Sequence, residues 1–370
     1  MRTVGIEEEL LLVDARTGVP TAVAAQVLHV AGQHDDVGHD DLEHGAMVHE
    51  LQQQQLETYT PPESDMTRLA ADLRAWRGRA ISRAAEVGAR VIASGTSPLP
   101  ARPELVPTTR YTEMAERFGL TARENLLCGC HVHVGVESPD EAIGVLDRIR
   151  VWLPVLLALS ANSPYWAGDD SGYASYRSQV LQRWPTSGPS ELFGSPAAYE
   201  RHRAEILGSG VLLDEAMIYT DARPSHRYPT VEIRVADTCA DSDDAILVAA
   251  LCRGLVETAA REYAAGDPAP QVSTAVLRLA DWEASKYGVS DQLLDPLTLR
   301  PRPAHEVIEQ LVEHVAPALV ESGDEPLVTK GIERVLTHGS GATRQREVLA
   351  RTHALSCVVD DLARVTAGEV

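Results

Sequence analysis

Val4-Gly5-Ile6-Glu7-Glu8-Glu9-Leu10-Leu11-Leu12-Val13 decides the reading of this chain. Its β-branched and aliphatic residues are those of a buried strand, and Asp14 ends it ahead of a turn around Gly18 and Pro20. Side chains alternate faces along a strand, so Glu7, Glu9 and Leu11 share one face while Glu8, Leu10 and Leu12 share the other. Carboxylates side by side on a core strand repel each other and lose hydration. They need a cation, a shared proton or arginine partners, unless the strand end simply reaches solvent.

Three further strand candidates carry ionisable groups. Residues 48–59 read as a second strand, stopped by Thr60-Pro61-Pro62, and hold Glu50 and Glu57. The odd spacing puts these two on opposite faces of a regular strand, so a bulge or bend separates them if both reach one site. Residues 126–136 read as a third strand, with Cys128 and Cys130 on one face and His131 and His133 on the other. A mixed Cys/His zinc site within that segment would need both faces at once and is rejected. The cysteines read as small core residues. One or both histidines can face a polar site, or be hydrogen-bonded core residues. Residues 230–237 form the fourth candidate, with Glu232 and Arg234 on one face and Val231, Ile233 and Val235 on the other.

Glutamates from three strands with an imidazole make an oxygen-rich pocket, which suits Mg²⁺ or Mn²⁺ better than Zn²⁺. An arginine beside metal-holding carboxylates suits phosphoryl transfer. The chain has no Walker-A sequence, dinucleotide fingerprint or Gly-x-Ser-x-Gly element.

Helical spacing predicts helices over 69–88 (capped by Ser64 or Asp65), 110–121, 140–159 (passing Pro154) and 243–265. Residues 21–45, with His34, Asp35, Asp36, His39, Asp40, Asp41, Glu43 and His44, read as a solvated loop around short elements rather than a metal site. Residues 162–189 are irregular, yet hold Tyr165, Trp166, Tyr173 and Tyr176, which favours function over disorder. No internal repeat or Pro/Ser-rich linker splits the 370 residues, so one domain over 1–370 is expected.

A formal charge of -21 argues against nucleic acid or an anionic membrane as partner, although bound metals and local arginines can reverse the sign inside a pocket. No run approaches a membrane span, and the N-terminus enters the first strand with no room for a signal peptide. Five scattered cysteines suggest reduced thiols and a cytoplasmic location.

Six ordered motifs carry a resemblance: Val4-Gly-Ile-Glu-Glu-Glu-Leu10; Cys128-Gly-Cys-His-Val-His-Val-Gly135; Ala161-Asn-Ser-Pro164; Ala174-Ser-Tyr-Arg-Ser178; Arg183-Trp-Pro185; and Tyr228-Pro-Thr-Val-Glu-Ile-Arg234. Lys286-Tyr-Gly288 and a late Gly-Ala-Thr-Arg-Gln-Arg segment extend it to about Arg346. Together they resemble the type 2 glutamate–cysteine ligase family, nearest its YbdK-like carboxylate–amine ligases. The resemblance implies an α+β fold related to the glutamine synthetase/guanido kinase-like catalytic domain: a curved, mainly antiparallel sheet backed by helices. It implies an ATP-dependent ligase (EC 6.3.2.2-like) that uses Mg²⁺ or Mn²⁺ to form γ-glutamylcysteine through an acyl phosphate. Carried over by motif, Glu7, Glu9, Glu50, Glu57, His131 and Glu232 resemble the metal-binding set, which also implies that Glu50 and Glu57 share the site. Arg234 resembles the residue that stabilises the transferring phosphoryl group, with Glu232 beside it as a catalytic residue. Tyr176 and Arg177 are candidates for binding the substrate carboxylate, and Arg344 and Arg346 for nucleotide phosphate or, equally, a solvated basic helix end. Relatives are often homo-oligomers, with a dimer the first expectation. The Gln-rich run 52–55 departs from the motif matches and leaves the amine open. The competing readings are a ligase for another amine or carboxylate, a metal-dependent amidohydrolase suggested by His131-Val132-His133, and a non-catalytic sensor.

Overall fold

The computed structural model describes residues 1–34 and 45–369. Of the His/Asp cluster in 21–45, all but His34 lies outside the described residues, and His34 is exposed. Part of that segment is helical.

The described residues form eleven strands: β1 (Val4–Asp14), β2 (Ala46–His49), β3 (Gln55–Tyr59), β4 (Ala89–Ile92), β5 (Gly129–Gly135), β6 (Tyr165–Trp166), β7 (Asp169–Asp170), β8 (Ala222–Pro224), β9 (Thr230–Asp237), β10 (Gln292–Leu294) and β11 (Pro301–Pro303). Seven of them make one open sheet in the order β2-β3-β1-β5-β9-β8, with β4 paired to the far end of β1. Every pairing is antiparallel. Glu7 stands opposite Tyr59 on β3 and His131 on β5, and His133 stands opposite Glu232. The β5/β9 register shifts between Cys130 and Val132, an irregularity that bends a strand and re-aims its side chains.

The helices are α1 (Ala24–Gly32), α2 (Met66–Glu86), α3 (Thr109–Phe118), α4 (Leu120–Arg123), α5 (Pro139–Ile149), α6 (Leu153–Ser160), α7 (Tyr176–Leu181), α8 (Pro196–Gly208), α9 (Ser242–Ala265), α10 (Thr274–Tyr287), α11 (Ala304–Ser322), α12 (Glu325–His338), α13 (Gly341–Thr352) and α14 (Leu355–Thr366). None among the described residues is long and apolar enough to cross a membrane.

Alternation along the strands sorts the two faces. Val4 and Ile6 of β1, Cys130, Val132 and Val134 of β5, and Val231, Ile233 and Val235 of β9 join one core with α2, α5, α6, α9, α11 and α12. Glu8 shares that buried face, where the α2 residue Arg77 meets it with two bonds of 2.8 and 2.6 Å. Arg77 also donates to the carbonyls of Ala240 and Cys239, so the ion pair has its remaining hydrogen-bond needs met. The opposite face carries Glu7, Glu9, His131, His133, Glu232 and Arg234. Its far end, from Leu11 to Val13, is covered by Val348 of α13 and by Val358, Val359, Leu362 and Val365 of α14.

Three elements depart from the sequence reading. The segment 48–59 is two strands: Gln52 and Gln54 lie between them and donate to the carbonyls of Ala122 and Arg102, while the side chain of Gln55, the first residue of β3, donates to that of Leu127. The segment 140–159 breaks between α5 and α6, where Pro154, lacking an N–H, sits in the first turn of α6. The segment 110–121 breaks at Gly119, whose φ of 59° lies in the left-handed region. Asp65, rather than Ser64, caps α2. Cys128 and Cys130 do not share a face as alternation predicts. Cys128 precedes β5 and packs with Leu11 and Leu126, whereas Cys130 belongs to the helix-covered core.

Candidate metal and substrate site

The acidic face opens onto a cavity of about 500 Å³. Glu7, Glu9, Glu50, Glu57, His131, Glu232, Arg234 and Arg177 all line it. Glu50 reaches it from the connection between β2 and β3, so the bend required by the Glu50/Glu57 spacing is the break between those strands.

Two groups of side chains converge closely enough to hold a cation, and they share Glu7. One is Glu7, Glu57 and His131; the other is Glu7, His133 and Glu232. Glu7 lies 3.4 Å from His131 Nδ1 and 3.1 Å from His133 Nε2. Four of the six expected metal residues thus fall in these groups. Glu9 accepts the Gly129 amide at 2.6 Å, and Glu50 lines the cavity outside both groups. His133 joins these groups although the resemblance does not include it. Its alternation with His131 was the available signal, and the Glu7 and Glu232 register completes it.

Electrostatics favour a cation here. Burial pushes the Glu50 carboxyl up to about 8, with Glu9 adding to the rise. Burial and the charges of Glu7, Glu50 and Glu9 push Glu57 well above the ordinary range, although Tyr59 donates to it at 2.7 Å. Glu7 is also penalised by burial, yet His133 and His131 hold it down at about 2. Glu232 is held well below the usual range despite burial, because Arg234 and Arg223 both clasp it. Arg223 bonds Glu232 at 2.7 Å and was not expected from sequence. A surplus of buried carboxylate, with oxygen and imidazole donors converging, fits a hard divalent cation.

This crowding has a pH signature. A carboxyl whose folded pKa is raised stabilises the fold below its unfolded pKa, and that contribution is lost as pH rises through the folded value. For Glu50 the window runs from about 4.5 to about 8. Thermal melts in chelator should therefore fall across that window, and added Mg²⁺ should restore several degrees at its upper end. Identical melts with and without the ion would contradict a cation site.

Arg177 is fixed in the wall rather than free. It lies 3.7 Å from Asp237 and donates to the carbonyl of Val235. Its guanidinium occupies the space where a side chain on Gly129 would project, 2.2 Å from an added Cβ. Asp237 also accepts from the Asn162 amide, Ser163 Oγ and Ser175 Oγ at 2.9, 2.6 and 2.8 Å. Two of the sequence motifs thus meet at one buried carboxyl and position the cavity wall. Tyr176 is not in that wall. It packs on Trp166 and Tyr173, with ring centroids 5.8 Å apart in both pairs. Arg344 and Arg346 do not reach the cavity either, because Asp361 holds the first at 2.7 Å and Asp170 the second at 2.9 and 2.7 Å.

A second cavity, of about 850 Å³, adjoins the first. Glu7, Tyr59, His133 and Tyr228 line both. The carboxylate–imidazole groups therefore stand where two spaces meet.

Residues 3–367 match the family model described as glutamate-cysteine ligase family 2. A Streptomyces avermitilis protein, provisionally named glutamate–cysteine ligase 2-1, is 50% identical over 368 residues, covering 100% of both chains. Among solved structures, a glutamate–cysteine ligase from Francisella tularensis in complex with AMP superposes with a TM-score of 0.72 at 14% identity, covering 100% of this chain and 88% of that one. A bifunctional glutathione synthetase from Pasteurella multocida gives 0.70 at 15% identity, with 100% of this chain matched to 52% of that one. At these identities the structures establish a shared fold.

Proposed function

Because the chain belongs to the type 2 glutamate–cysteine ligase family, we propose that it is an ATP-dependent carboxylate–amine ligase that activates glutamate as an acyl phosphate and transfers it to an amine, cysteine first among candidates. The observation that carries this reading is the placement of two cation-holding groups, joined by Glu7, at the junction of two cavities. A nucleotide and a carboxylate are both anions, and their reacting ends can meet only where positive charge offsets their repulsion.

Glu7, Glu57, His131, His133 and Glu232 would hold Mg²⁺ or Mn²⁺, which when bound would neutralise phosphate charge. The chain's own groups do the rest. Arg234, held to Glu232 and Arg223's neighbour across it, presents a fixed cation to the phosphoryl group in flight. Arg177 adds a second cation in the same wall. The opposite wall, with Tyr111, Met114, Trp184 and Tyr219, excludes water and shields the activated carboxyl from hydrolysis. A hydrolase reading lacks support from the donor set, which is rich in glutamate and arginine.

ADP formation tests this directly. The purified protein with ATP, Mg²⁺ and glutamate should release ADP at a rate stimulated by cysteine or by another amine from a panel. Absence of ADP with every acceptor, in folded protein that binds the metal, would overturn the ligase reading.

A further inference from the structure

Asp221, half-buried, and Asp281, buried, form an acid pair beside the cavity, and neither belongs to the two groups able to hold a cation. Asp221 follows Tyr219 and Thr220 into the cavity wall, and its carbonyl accepts the amide of Arg234 at 2.8 Å. Asp281 projects from α10, is 5% exposed, and hydrogen-bonds the Asp221 side chain. Its Oδ1 has no partner among the described residues. Among the described residues neither carboxyl has a salt-bridge partner within 4 Å; Arg278 on α10 and Arg177 on α7 are the charged groups that face the pair. Arg278 is itself directed to the Ser187 carbonyl at 3.0 Å.

Two carboxyls in contact, buried and without an ion pair, hold one proton between them, because ionising both would place like charges side by side. Burial raises Asp221 to about 6 and Asp281 well above the carboxylate range, with Asp221 adding to the latter. The pair therefore keeps one negative charge near neutral pH, where it can accept a second proton. None of the glutamates of the metal-holding groups is among the groups acting on Asp221.

A ligase of the kind proposed above needs such a group. Its acceptor arrives as an ammonium ion and has no lone pair until it loses a proton. We propose that Asp221, steadied by Asp281, is the general base that takes this proton. The ammonium gives its proton to the Asp221 carboxylate, which leaves both acids neutral. The freed nitrogen lone pair forms the C–N bond to the acyl carbon. The C–O bond to phosphate breaks, and phosphate leaves with the electron pair and takes the second nitrogen proton, departing as hydrogen phosphate. This rests on the ligase reading.

Hydroxylamine as acceptor separates the two ideas, because it is already unprotonated at neutral pH and needs no base. Asp221→Asn keeps the shape and can still donate to Asp281. In that variant, ADP formation with the preferred amine should fall by about 100-fold or more, the usual contribution of a general base. Formation of the hydroxamate should stay within a few-fold of the parent. Asp281→Leu, which removes the donor that steadies the Asp221 carboxylate, should move the acid limb of the amine-dependent pH profile to higher pH. Equal loss with both acceptors, or an unmoved acid limb in Asp281→Leu, would overturn the assignment and leave the pair a structural feature. Failure of the parent protein to form either product would instead bring down the ligase reading, and this proposal with it.

Discussion

Glu232→Gln should reduce ADP formation by about 1000-fold or more while the protein remains folded. Glu232 belongs to one of the two groups among the described residues that are able to hold a cation, and is also the anchor for Arg223 and Arg234. The substitution keeps volume and removes charge, so two effects coincide. The cation loses an anionic ligand, and Arg234 loses the partner that aims it. Removal of a single preorganised donor costs about 10²–10³ in comparable sites, and loss of an arginine at a phosphoryl group about 10³–10⁵. The half-saturating Mg²⁺ concentration should rise with the loss of turnover. Stability should drop by a few degrees, since two arginines lose a buried partner, but Glu7 still faces Arg234. Turnover near the parent level would remove Glu232 from the metal and phosphoryl roles.

The largest stability effect is expected far from the cavity, at Arg77. It is 2% exposed and faces Glu8, which is fully buried. Arg77→Met should cost about 3–5 kcal/mol, because it leaves a carboxylate buried without its cation. Most of that loss should return in Glu8→Leu/Arg77→Met, since a packed apolar pair of similar volume is often as stable as a buried ion pair. Urea unfolding midpoints of the single and double variants measure both numbers. A single variant that loses less than about 1 kcal/mol would mean that water or another cation reaches Glu8.

Glu8 shows what one strand can and cannot announce. The triplet Glu7-Glu8-Glu9 implied that its middle member faces away from its neighbours, and it does. The requirement for a partner was legible as well. Which residue supplied it was not, because Arg77 lies 69 residues away and joins Glu8 only through the packing of α2 on the sheet. His133 gives the same lesson within the site. Its face was legible in the alternation with His131, but its place beside Glu7 and Glu232 depends on the cross-strand register.

Arg344, Arg346 and Tyr176 stand away from the cavity for a common reason. Arg344 and Arg346 have the composition of phosphate-binding residues, yet each is held by an aspartate, and one of these, Asp170, is 176 residues away in sequence. Tyr176 sits in a motif beside Arg177, but a helical turn sends the two side chains to different surroundings. The run 52–55 could be recognised as unusual. That its glutamines fasten the β2–β3 connection to three distant carbonyls could not.

The four acidic or histidine-bearing strand segments, the faces of their glutamates and the family pattern were legible in the sequence, apart from the break inside 48–59 and the face of Cys128. Strand period and ionic composition are local properties, readable over a few residues. Only the tertiary structure decided which carboxylate stands beside which histidine, which arginines are already neutralised, and that Asp221 meets Asp281. Those outcomes depend on contacts between segments far apart in sequence, where a distance of a few ångströms determines whether a charge is paired, shared or left available for chemistry.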